Sequence, residues 1–170
     1  DNRPCTTSIT GCTNEGKVES IAKGNHTYTA GICIIYNGSN GSTYADELII
    51  NNCVNNGEIE GDTVAGIIGN SSGNLKLSDC ENNGAINGRY SAGGIAQCIE
   101  NKNSNEAEVS NCINNGNVFG GEEAAGIIDY AEGITVTNCI NNGNISSNGY
   151  VGGIFSYTSS VKGTGLVNNG

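Results

Sequence analysis

One short unit recurs along this chain and restricts what it can fold into. It reads Cys112-Ile113-Asn114-Asn115-Gly116-Asn117-Val118, returns from Cys12, Cys53, Cys80 and Cys139, and returns without its thiol from Leu166 to Gly170. Successive anchors are 41, 27, 32, 27 and 27 residues apart, so the period is 27 with two longer intervals. Between anchors a second signature repeats as Gly31-Ile32, Gly66-Ile67, Gly94-Ile95, Gly126-Ile127 and Gly153-Ile154. A unit this small cannot bury an apolar face alone, and a fixed period of this size marks a solenoid whose neighbouring turns bury one another.

The columns of the repeat carry the period of a strand. Val18, Ile59, Ile86, Val118 and Ile145 each stand between mostly polar neighbours, which places them on a core face. Ahead of the anchor, Ile9, Ile50, Leu77, Val109 and Val136 form a second inward column, partnered two residues earlier by Leu48, Leu75, Ala107, Ile134 and Val161. The 27 glycines and the many Asn-Gly pairs supply tight turns, and there is no Trp or Met to build a helical core. The expectation is an all-β single-stranded parallel β-helix (β-solenoid), residues 1–170 as one domain. It has about six rungs of 27 residues with three short strands each, right-handed by the general crossover preference.

Two columns define the corner. Cys12, Cys53, Cys80, Cys112 and Cys139 are spread one per rung along a line, whereas a metal needs ligands converging on a point. They read as a stack of small buried thiols, with Leu166 in the sixth place. Pairing among Cys5, Cys33 and Cys98, which lie off the column, stays open. Asn14, Asn55, Asn82, Asn114, Asn141 and Asn168 read as a structural ladder, since an amide both donates and accepts from rung to rung. The glycines two residues later are expected to supply positive φ at the bend. After each Gly-Ile comes Cys33, Ile68, Ala96, Ile128 or Phe155, where alternation calls for a polar residue. Either that sheet is covered or a bend turns both residues inward.

Departures from the period mark what is not scaffold. Inserted loops are expected at about residues 20–29, 36–47 and 100–106, and loops carry function more often than rungs do. Tyr28, Tyr36 and Tyr44 cluster there with the one histidine, His26, as candidate partner- or glycan-binding residues. Glu58, Glu60 and Asp62 share a rung and read as a solvated face, with Glu19 stacked on Glu60 as like charges that make a weak cation site conceivable. No Ser/His/Asp set, H-E-x-x-H, P-loop or G-x-S-x-G occurs, so no catalytic residue, cofactor or metal is expected. A net charge of −10 argues against nucleic acid and anionic membrane surfaces, and no run of 18 apolar residues suggests membrane insertion.

The Cys-x-Asn-x-Gly copies, together with Gly31, Gly66, Gly94, Gly126 and Gly153 before Ile, resemble the GLUG-motif repeats of bacterial surface proteins. Such repeats occur in immunoglobulin-A-cleaving zinc peptidases and adhesin-like proteins. The resemblance covers nearly the whole chain and implies a cell-surface scaffold; the zinc motif of those peptidases is not present. The expected function is a non-enzymatic extracellular structural or adhesive β-solenoid: a surface-protein stalk, a segment of a longer protein, or a fibre-forming subunit. Its expected partners are neighbouring repeats or subunits end to end, and a glycan or host protein. The alternative is a carbohydrate-binding or carbohydrate-active β-helix module using the N-terminal loops.

Overall fold

The computed structural model describes residues 6–22, 27–34, 47–101 and 107–170. All secondary structure among them is β-strand, and the strands stack in parallel as a β-solenoid. The first sheet holds Thr6–Thr10, Glu47–Asn51, Asn74–Ser78, Ala107–Ser110, Ile134–Thr137 and Lys162–Thr164. The second holds the two-residue strands that end in each ladder asparagine, from Thr13–Asn14 to Val167–Asn168. The third is the longest face, built on Ile59–Ala65 and Ile86–Gly93, and the fourth comprises Ile68–Ser72, Ala96–Glu100, Ile128–Glu132 and Phe155–Ser159.

Register follows the repeat. Ile50 pairs with Leu77, Val109 with Val136, Asn82 with Asn114, and Ile86 with Val118. Four turns contribute to all four sheets, not the six that the repeat count suggests. Residues 6–34 reach the fourth sheet only through a bridge between Cys33 and Ile68, and the last strands, Lys162–Thr164 and Val167–Asn168, join only the first two sheets. Each complete turn also has four faces, not three, because two-residue strands such as Glu81–Asn82 are too short to show an alternation.

Two apolar cores result. The larger lies between the first and fourth sheets and contains Leu48, Ile50, Leu75, Leu77, Ile95, Ile99 and Val136 with Cys53, Cys80, Cys112 and Cys139. The smaller fills the bend of the third sheet with Ile59, Val64, Ile86, Ala92, Val118 and Ala124. The apolar residue after each Gly-Ile is now explained: Ile67 and Ile68, Ile95 and Ala96, and Ile127 and Ile128 are all fully buried in the larger core. The bend after the glycine turns both side chains inward, so no cover is needed.

The positive-φ positions of the corner are not the glycines after the asparagine. They fall one residue before the thiol, at Gly11, Asn52, Asp79, Asn111, Asn138 and Gly165, each with φ between 53° and 66°. Gly, Asn and Asp are the residues that tolerate this left-handed region. The glycines that follow the asparagine are needed for a different reason. A Cβ on Gly84 would overlap the carbonyl oxygen of Gly57 one rung away, and Gly116 and Gly143 stand in the same relation to their neighbours.

Candidate functional site

The repeat's own side chains build its corner. Each column thiol donates to the carbonyl two residues back, across the left-handed residue: Cys53 to Asn51 at 3.4 Å, Cys80 to Ser78 at 3.2 Å, Cys112 to Ser110 at 3.3 Å. A thiol is small and apolar enough for the core and still a weak donor, a combination that neither Ala nor Ser offers. Cys12, Cys33, Cys53, Cys80, Cys112 and Cys139 are free thiols; Cys5 lies outside the described residues. Cys12, in the first described rung, is exposed, with no described rung on its outer side. The thiols of Cys139 and Cys80, with burial, push Cys112 well above the ordinary thiol range.

Asn55, Asn82, Asn114 and Asn141 are fully buried and form a continuous amide ladder. Nδ2 of Asn14, Asn55, Asn82, Asn114 and Asn141 each donates to Oδ1 of the next asparagine at 2.7 Å, ending on Asn168. The second hydrogen of each Nδ2 goes to the carbonyl two residues on, as in Asn82 to Gly84 at 2.9 Å, which fixes which way the amide faces. The glycine of each Gly-Ile closes the other side. A Cβ on Gly94 would come within 2.5 Å of Asn114 Cγ. The two signatures of the repeat are thus one contact, which forms the waist between the two cores.

A second ladder runs beside the first on the surface. Asn169 donates to Asn142, Asn142 to Asn115, Asn115 to Asn83 and Asn83 to Asn56 at 2.8–2.9 Å, and Asn56 donates to Glu15 Oε1 at 3.0 Å. An ionised carboxylate only accepts, so Glu15 sets the direction of the whole row. The outer ladder donates toward the N-terminus and the inner toward the C-terminus, so their amide dipoles oppose.

The carboxylates divide. Glu60 and Glu19 pair in register as expected, but Lys17 occupies the place of a cation, 2.6 Å from Glu60 and 3.4 Å from Glu19. Its hydrogen bond holds Glu60 below the ordinary carboxylate range. Asp62 is not on a solvated face. It is buried, bonded to Arg89, and accepts from Thr27 at 3.5 Å. Arg89 also donates to the carbonyls of Ala22 and Ser20, at 3.0 and 3.3 Å, and so ties the edge of the first inserted loop to the third sheet.

Of the candidate binding residues, only Tyr28 lies among the described ones, and it is exposed; His26, Tyr36 and Tyr44 lie outside them. Tyr28 pairs with Thr63, Thr63 with Ser91, Ser91 with Glu123 and Glu123 with Tyr150, which makes one column on the third sheet. Across a glycine-lined bend stands a column of the fourth sheet: Gly69, Gln97, Asp129 and Ser156. A Cβ on Gly69 would touch Ile34 and Tyr28, and one on Gly93 would overlap Ala96, so the two columns close into a narrow notch.

Asp129 is 0 % exposed in that notch. Gln97 Nε2 donates to its Oδ2 at 3.2 Å, while its Oδ1 and Gln97 Oε1 have no hydrogen-bond partner. Burial, and then the charge of Glu123, raise its carboxyl to about 6, against the pull of Gln97, Ser156 and Ser91. The sequence signal for this column was polarity directly after the double-inward pair, visible only once that bend is known. Next to it Tyr130 and Tyr157 stack with ring centroids 5.0 Å apart, and Tyr130 donates to Glu132 at 3.0 Å. Among the described residues no group of three or more His, Cys, Asp or Glu side chains is placed to hold a metal ion. Comparison with protein-family models, with curated proteins and with solved structures finds no match.

Proposed function

We propose that this chain is a non-enzymatic extracellular scaffold, a stalk or fibre-forming β-solenoid of the GLUG-repeat kind whose neighbours stack on it end to end. The observation that supports this reading is where the repeated polar groups are spent. The donors of Asn55, Asn82, Asn114 and Asn141 go to the next rung and to their own corner, so the residues that recur in every turn serve the coil itself. A chain selected for such rung-to-rung bonding gains length at constant cross-section, which is what a spacer requires.

The test combines shape with ligand screening. Electron microscopy and sedimentation of the chain are expected to show rods, and tandem copies rods that lengthen in proportion. A glycan array and turnover assays on acidic polysaccharides are expected to stay at background. Saturable binding of one glycan, lost in Tyr28→Ala, would replace this reading with a carbohydrate-binding module. A compact particle whose length does not grow with added copies would also overturn it.

A further inference from the structure

We propose that the notch at Asp129 is a binding site for a hard divalent cation of the calcium class. The ladder asparagines satisfy their amides rung by rung, whereas Gln97 Oε1 and Asp129 Oδ1, buried on consecutive turns of one column, have no partner, and Ser156 stands on the next turn beside the same carboxyl. Asp129 is 0 % and Gln97 8 % exposed. A buried acceptor without a partner is costly and a buried charge more so, so a cation within reach of both oxygens would offset both costs at once. The groups facing them from the third sheet are Glu123 and Ser91, and both act on the Asp129 carboxyl.

Every group in this set offers oxygen. Two carboxylates, an amide carbonyl and two hydroxyls are what calcium and magnesium accept, while nitrogen and thiolate donors suited to zinc are not part of it. The two ions differ in what they tolerate: calcium accepts irregular sets of about six to eight oxygens, while magnesium demands near-ideal octahedral geometry and keeps its waters, so a buried set of unequal side chains suits calcium. Glu123 sits at the rim, half-buried, and gives the ion a path from solvent. The Gln97 amide needs only to turn about its last bond to exchange Nε2 for Oε1 and face the ion.

The experiment titrates the whole chain, freed of metal by chelator, with Ca²⁺, Mg²⁺ and Tb³⁺, reading heat, melting temperature and tyrosine-sensitised terbium luminescence. Tyr150 and Tyr157 lie on the rungs of the notch and serve as donors. Saturable Ca²⁺ binding with a rise in melting temperature is expected, at least tenfold tighter than Mg²⁺. Asp129→Asn should weaken it by at least tenfold, and Glu123→Gln should do the same from the rim, which keeps the test valid if the buried variant fails to fold. The proposal is overturned if the parent shows no saturable Ca²⁺ or Tb³⁺ signal up to millimolar concentration, or if both variants bind as the parent does.

Discussion

Gly66 stands against the side chain of Asn82 across the waist of the coil, so close that a Cβ on it would lie 2.6 Å from Asn82 Cγ and overlap the carbonyl of Gly94. The contact leaves no room for relaxation, because one partner is backbone and the other is held in the amide ladder on both faces. Gly66→Ala should therefore cost about 3 kcal/mol or more, at the top of the range for overpacking. Gly16 belongs to the neighbouring glycine column but has nothing within 4 Å of its virtual Cβ, because no described rung stacks on that side of it. Gly16→Ala should leave the denaturant midpoint within about 0.5 kcal/mol of the parent. Equal effects of the two substitutions would show that stacking is not what these columns require.

The ladder itself predicts an asymmetry between two substitutions at Asn114. Asn114→Ala leaves one hydrogen of Asn82 and the acceptors Asn141 Oδ1 and Gly116 O without partners, which should cost about 2–4 kcal/mol. Asn114→Asp is nearly isosteric but can donate to neither acceptor and brings a charge into a fully buried site, so it should cost more than the alanine. Chemical denaturation at neutral pH ranks the two. An aspartate variant as stable as the parent would mean that the amides do not form a bonded row.

What could be read before the structure was whatever repeats at a fixed column. Ile86, Val118 and the asparagines announced a parallel coil because a 27-residue period and a two-residue alternation are both linear signals. The left-handed position was also there, as a column of only Gly, Asn and Asp running from Gly11 to Gly165. It is masked because a Gly after Asn-Asn resembles an ordinary turn, and a glycine required by close approach cannot be told from one required by φ without coordinates. The notch at Asp129 was illegible for another reason. Its members come from two sheets that meet only after the chain has bent at Gly93 and its equivalents, and no spacing along the sequence records that meeting.

Arg89 and Asp62 test how far the first loop's edge depends on one ion pair. Asp62 is buried while Arg89 remains partly exposed, so deleting the cation strands a buried charge. Arg89→Met should destabilise by about 3 kcal/mol and free residues 20–22, seen as faster amide exchange at Ala22 and Ser20 and in the strand that carries Asp62. The double variant Arg89→Met with Asp62→Asn should recover part of that loss. If the single variant is as stable as the parent, the pair contributes no more than an exposed one.

The cysteine column predicts a graded pattern of thiol reactivity. Cys12 is exposed and should react with a thiol reagent within minutes in the native protein. Cys53, Cys80, Cys112 and Cys139 are buried, and Cys112, pushed upward by its neighbouring thiols and by burial, should be the slowest. Mass-mapped alkylation at pH 8 measures the order, and full labelling is expected only in denaturant. Rapid native labelling of Cys112 would place the column outside the core.

Asp129 gives the stability of the metal-free chain a pH dependence of opposite sign to that of most carboxylates. Its folded value of about 6 lies above the roughly 3.9 of an unfolded aspartate, so between these values the folded chain binds more protons than the unfolded one. Stability from this group is present below pH 4 and is lost as pH rises toward 6, by on the order of 3 kcal/mol at the two-unit difference. Asp129→Asn keeps the shape, removes the charge and should abolish this loss, so that it is more stable than the parent at pH 7 and similar at pH 4. Denaturation curves at both pH values in the presence of chelator decide it. A parent as stable relative to the asparagine variant at pH 7 as at pH 4 would mean that Asp129 is solvated in solution. Added Ca²⁺ should raise the parent at pH 7 more than it raises the variant, because an ion held between Asp129 and Glu123 replaces the proton as the counter-charge.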